Sequence, residues 1–176
     1  MNSILKKGYI HIYTGDGKGK TTAALGLALR ASGHGLRTYM GQFMKGQHYG
    51  EHDAFDKNPL MTFELYGKNT FIHVEEKNDE DVAMAVEGLQ KATQAMLSGK
   101  YELIILDEVN VAIHFGLLTC QMVQDLIEKK PEHVELILTG RRAPSELIEL
   151  ADVVTEMKEV KHYYQNGIMA RDGIER

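Results

Sequence analysis

Tyr13-Thr14-Gly15-Asp16-Gly17-Lys18-Gly19-Lys20-Thr21-Thr22 is the stretch whose reading decides the fold. It is a short glycine-rich loop ending in Gly-Lys-Thr. An apolar run, Tyr9 to Tyr13, precedes it. A good helix former, Ala23-Ala24-Leu25-Gly26-Leu27-Ala28-Leu29-Arg30, follows it. Strand, glycine loop and helix in that order are the context of a phosphate-binding loop. Glycines allow backbone N–H groups to point at phosphate oxygens, and the helix adds its positive N-terminal end. Lys20 can reach phosphate as a point charge, and the Thr21 hydroxyl can ligate Mg²⁺. The usual pattern has a glycine where Thr14 stands, so Gly15 comes one position late and the loop is tight. A plain glycine turn into a helix is the alternative, and the signals downstream weigh against it.

Those signals lie along an alternation of strands and helices. Strands are expected at 8–13, 37–44, 61–66, 103–108, 134–139 and 153–157. Helices are expected at 20–32, at 79–97 behind an Asn78 cap, from Thr119 to before Pro131, and at 144–151. The helix 20–32 is apolar on most sides, which predicts that it is sandwiched between layers. Lys45 to Pro59 reads as a polar loop, 67–78 as irregular, and His162 to Arg176 as a loop. The pattern predicts an α/β fold: a mostly parallel sheet with helices on both faces, and ligands beyond the carboxyl ends of the strands.

Composition narrows the class. A chain of 176 residues is expected to form one domain, 1–176, with a three-layer core. A formal net charge of −5 argues against a nucleic-acid partner. The one cysteine, Cys120, excludes an internal disulfide and suits a reducing cytoplasm. No signal peptide and no membrane-length apolar run is visible.

Asp107-Glu108 closes the apolar run Leu103-Ile104-Ile105-Leu106 on the edge that carries the glycine loop. Carboxylates there are expected to hold Mg²⁺ directly or through water; a solvated strand-end acid is the alternative. Arg30 and Arg141 are candidates for phosphate or adenosine, and Arg141 is the stronger because it follows a strand end. For both, a surface arginine is the commoner case. His48-Tyr49-Gly50-Glu51-His52 matches the pattern H-x-x-E-H, but Gly50 sits inside it and its flanks show no helical period, so it reads as chance. On pattern alone, Phe71 fills the core and His73 is solvated. Taken by themselves these residues describe a Mg-nucleotide-binding α/β domain. A P-loop ATPase, a small-molecule kinase and a nucleotide switch all remain open.

The chain resembles the ATP:cob(I)alamin adenosyltransferases of the phosphate-loop type, which act in cobalamin synthesis and corrinoid salvage. The resemblance runs from about Tyr9 to the C-terminus. It rests on Thr14 to Ala24, Gln42-Phe43-Met44-Lys45-Gly46, Leu106-Asp107-Glu108, Leu138-Thr139-Gly140-Arg141 and Val160-Lys161-His162. It implies a P-loop NTPase, recombinase-like architecture, a homodimer, and ATP bound in reversed direction with its 5′ carbon facing the corrinoid. Co(I) then attacks that carbon and triphosphate leaves, with no general base required.

By the same resemblance Gly15, Asp16, Gly17, Lys18, Gly19, Lys20, Thr21 and Thr22 bind ATP. Lys20 and Mg²⁺ neutralise the triphosphate, Thr21 and Glu108 ligate the metal, and Asp107 supports them. Phe71 and His73 fall where the family has aromatics facing the corrinoid. A tryptophan is common at the second of these, so His73 is a departure. A flavin-type reductant protein is an implied partner. Some relatives carry an N-terminal segment that covers the corrinoid; the short start here implies a more open site or a different cover.

Overall fold

The computed structural model describes residues 5–68 and 78–175. Six strands form one sheet: β1 (Ile10–Thr14), β2 (Thr38–Phe43), β3 (Met61–Tyr66), β4 (Leu103–Asp107), β5 (Glu135–Thr139) and β6 (Val153–Glu156). Their order is β3-β2-β4-β5-β1-β6, and every neighbouring pair is parallel. The helices are α1 (Lys20–Ser32), α2 (Gly50–Asp56), α3 (Asp79–Leu97), α4 (Val109–His114), α5 (Cys120–Glu128) and α6 (Ser145–Leu150). A parallel sheet buries both faces, and its strands alternate between two cores. Leu103, Ile105, Met40 and Ile137 face a layer made with α1 and α2. Ile104, Leu106, Phe43, Leu136 and Leu138 face the layer of α3, α4, α5 and α6. The architecture is an α/β, P-loop NTPase-like fold.

This alternation positions the site. Continuing the odd parity of β4 places Asp107 on the α1 side, and the parities of β2 and β5 bring Gln42 and Thr139 to the same side. All three are buried. They sit at the carboxyl ends of adjacent strands β2, β4 and β5, next to the loop that leaves β1.

Two expectations are corrected here. Helix α1 is covered on one side: Ala24, Ala28 and Ala31 face the sheet, and Leu29 is 67% exposed. Alanines every three or four residues let the helix lie close to the strands, and that close seat is what its apolar composition serves. The stretch from Lys45 to Pro59 contains α2. Its order comes from burial of His52 and Phe55 rather than from a sequence period. Among the described residues no helix is long and apolar enough to cross a membrane.

Helix α3 starts as expected. The Asn78 side chain accepts from the Asp81 N–H, and the Asp81 side chain returns the bond to the Asn78 N–H. In its middle Gly88 lies against Tyr66, so close that an added Cβ would sit 2.4 Å from the ring. The Tyr66 hydroxyl is tied to Tyr39 and Glu64, so the ring has nowhere to swing. Gly88→Ala therefore sets a helix-propensity gain of about 1 kcal/mol against overpacking of about 1–3 kcal/mol. The clash wins: Tm is expected to fall by about 3–6 °C. A higher Tm in a thermal melt would show that the ring yields.

Candidate nucleotide site

The loop after β1 is shaped by close packing as much as by its glycines. Gly15 has φ of 91°, and a Cβ there would lie 2.5 Å from the Met157 carbonyl oxygen. The Gly17 N–H donates to that same oxygen at 2.6 Å. The chain leaving β6 thus forms the floor of the loop, and a side chain at Gly15 would push them apart. Gly19 caps α1 at φ of 120° and Lys20 is its first residue. The Lys20 ammonium turns back and donates to the carbonyls of Gly15 and Gly17, each at 2.7 Å. Burial pulls its pKa below the ordinary lysine range, with Glu108 opposing the shift.

Asp107 is the hub beneath the loop. It is fully buried, and both its oxygens are saturated. Thr21 and Thr139 donate to Oδ1 at 2.9 and 2.6 Å. Gln42 and Lys45 donate to Oδ2, each at 2.9 Å. Burial works against the Lys45 charge, but Asp107 more than reverses this and lifts its pKa. Four donors leave Asp107 without a free oxygen for a metal. Its geometry fits the supporting carboxylate of the two roles expected for it, a residue that holds Thr21 in position.

Glu108 is different. It leaves β4 in the left-handed conformation, φ 60°, and so turns the chain into α4 at once. Its N–H donates to the Thr139 hydroxyl at 3.0 Å. It lines the cavity. Burial, and then the neighbouring Asp107 charge, push its pKa upward against Lys45, Lys20 and Arg141.

These groups open on a cavity of about 650 Å³, within the size range of small-molecule sites. Asp16 to Thr22, Glu108 and Arg141 line it, as the sequence led us to expect. Gly15 lies beneath it, tied to Lys20. Arg30 does not join them. It sits on the last turn of α1, ten residues beyond Lys20 and so about 15 Å along the axis. Phe71 and His73 lie outside the described residues.

Several wall residues were not assigned from the sequence. Lys45, Tyr49, Gly50, Glu51 and His162 line the cavity, as do Gly173, Ile174 and Glu175 of the tail. Lys18 donates to the Ile174 carbonyl and pairs with Glu175 at 3.4 Å. Glu175 is held in turn by Arg171 and the Tyr163 hydroxyl, which keep its carboxyl far below the usual range. Gln42 could have been found as a polar residue inside a buried strand, and Lys45 as a cation two residues beyond that strand's end. Gly173, Ile174 and Glu175 lie in a stretch with no local pattern.

A family model described as "ATP:corrinoid adenosyltransferase BtuR/CobO/CobP" matches residues 6–176. The chain belongs to this family. It is 36% identical over 174 residues to a corrinoid adenosyltransferase of Sinorhizobium, covering 97% of this chain and 81% of the relative. The Pseudomonas aeruginosa corrinoid adenosyltransferase is 34% identical over 172 residues, covering 97% and 84%. That of Escherichia coli is 32% identical over 171 residues, covering 97% and 86%. The resemblance stated from the loop, the strand-end acids and the Gln42–Gly46 stretch is thus the family itself.

Proposed function

We infer that this chain is an enzyme that transfers the adenosyl group of ATP to a corrinoid. The observation that carries the reading is one cavity uniting the phosphate loop, the α1 N-terminus, Thr21, Glu108 and Arg141, in a chain of this family. The triphosphate would lie along Gly15 to Thr22. Lys20 would exchange its two loop carbonyls for phosphate oxygens, and Arg141 would add charge from the β5 side. In the reaction a Co–C bond forms at the 5′ carbon, using the electron pair of Co(I), while the C5′–O bond breaks and triphosphate leaves. The cobalt brings the electron pair, so the residues' task is to align the carbon and neutralise the departing charge.

The donor set fits Mg²⁺. The Thr21 hydroxyl spends its hydrogen on Asp107, which leaves its lone pairs to a cation. Glu108 lines the same cavity with no hydrogen bond to its carboxylate among the described residues, and burial and the Asp107 charge push its pKa upward. Thr21 and Glu108 would hold the ion, and it would supply further neutralisation of the triphosphate. Phe71, with His73 beside it, would press on the corrinoid; this rests on the family resemblance alone. We also read the protein as a cytoplasmic homodimer served by a flavin-type reductant protein. The exposed outer strand β6, with Val153 and Val154 open to solvent, supports a partner on that edge.

Incubation with ATP and a chemically reduced corrinoid is expected to give adenosylcorrinoid and triphosphate in equal amounts. ADP and phosphate formed at a comparable rate without corrinoid would move the chain to the hydrolases. A phosphorylated acceptor would move it to the kinases.

A further inference from the structure

His52 stands outside everything assigned above, yet it is buried at 4% exposure and fully hydrogen-bonded. It is the third residue of α2. The Tyr49 N–H donates to its Nδ1 at 2.7 Å, which closes the helix start. A nitrogen that accepts from an amide carries no proton, so Nε2 bears it. Nε2 lies 3.2 Å from the Gln42 Oε1. With its oxygen taken, the Gln42 amide turns its nitrogen to Asp107 Oδ2. Asp107 in turn fixes Thr21 and Lys45. The acceptor-only Asp107 carboxylate and the Nε2–H donor thus agree on one orientation of the Gln42 amide, which ties the α2 start to the hub beneath the phosphate loop. The same helix start brings Tyr49, Gly50 and Glu51 into the cavity wall.

We propose that His52 is a positioning residue for the nucleotide site, acting as the neutral Nε2–H tautomer to lock Gln42 onto Asp107 and α2 against the cavity. The proposal rests on the reading of the cavity as the ATP site. Its surroundings keep the ring neutral. Burial lowers its pKa, and His48 and Lys45 from the preceding loop add to this, while Glu51 and Asp56 on α2 oppose it. The edge of the ring meets Phe63 of β3 at 4.3 Å between centroids, which holds its plane.

A volume role and a tautomer role separate cleanly in two variants. Glutamine at the third position of a helix can accept from the capping residue's N–H and still present an N–H donor. Methionine has a similar volume and neither group, and it packs well against an aromatic ring. MgATP binding is measured by titration calorimetry on the full chain. His52→Gln is expected to stay within about 3-fold of the parent, and His52→Met to weaken binding by about 10-fold or more, as losses of supporting hydrogen bonds do at such sites. Equal affinities for the two variants, normal or impaired alike, overturn the proposal in favour of packing. A long-range ¹H–¹⁵N spectrum of the parent protein gives a second reading that needs no variant. It is expected to show Nδ1 unprotonated and Nε2 protonated, and the opposite tautomer overturns the proposal. Lys20→Ala runs beside them. If it binds MgATP as well as the parent, the ATP-site reading itself fails; if it loses binding while Gln and Met agree, only the His52 relay fails.

Discussion

Lys20→Ala is expected to lower kcat/KM for adenosyl transfer by about 10²–10³-fold, or about 3–4 kcal/mol in the barrier. The reason is where the charge ends up. Expelling triphosphate from carbon leaves negative charge on the departing oxygen, and a fixed cation beside it is worth most when that charge is largest. Lys20 donates to the Gly15 and Gly17 carbonyls at 2.7 Å. Those bonds keep the ammonium inside the loop, so little side-chain ordering is left for the moment of binding. The fold should survive. Lys20 opens α1, alanine is the best helix former, and the rest of the helix is seated through Ala24, Ala28 and Ala31. Lys18 offers the contrast: it is half-exposed and already shared with the tail. Its alanine variant should cost much less. A Lys20→Ala protein with the parent's circular dichroism and turnover within about 3-fold would remove this lysine from the chemistry.

The sequence carried the parts of the site that are written as local strings. The glycine loop, Lys20 and Thr21 sit in ten consecutive residues, and the carboxylate pair closes an apolar strand. Strand-and-helix alternation also placed β1 to β6 and the longer helices within a residue or two. What it could not carry is what depends on sheet order. Thr139 meets Asp107 because β5 lies between β1 and β4, and nothing near Thr139 states that neighbour. Helix α2 has seven residues and starts at a glycine, so propensity and period are silent and tertiary burial decides. Helix α4 follows directly from the left-handed turn at Glu108, a conformation the sequence does not announce. Arg30 stands apart from the cavity for a geometric reason: helix rise carries it away from the loop, although its charge suits a phosphate. Glu175 reaches Lys18 across 157 positions of sequence by folding of the tail alone.

Asp107→Ala is expected to be the most destabilising single change near the site, at about 3–5 kcal/mol. The carboxylate is buried with the Lys45 ammonium at 2.9 Å, and three more donors complete its shell. Removing it strands a cation that Asp107 holds in its charged form, together with the Gln42 amide and the Thr139 hydroxyl. At about 2–4 °C per kcal/mol for a chain of this size, Tm should fall by about 10 °C or more. The loss should depend on Lys45. Lys45 is part-buried, and an unpaired charge there is costlier than a neutral gap, so Asp107→Ala combined with Lys45→Met should recover part of the stability. The double variant should stay inactive, because Thr21 loses the acceptor that aims its lone pairs at the cavity. Thermal melts of the two single variants and the double variant, with turnover on each, separate these two effects. If Asp107→Ala melts within about 2 °C of the parent, the buried pair does not hold the site together. If the double variant regains turnover as well as stability, Asp107 serves folding alone and Thr21 needs no support from it.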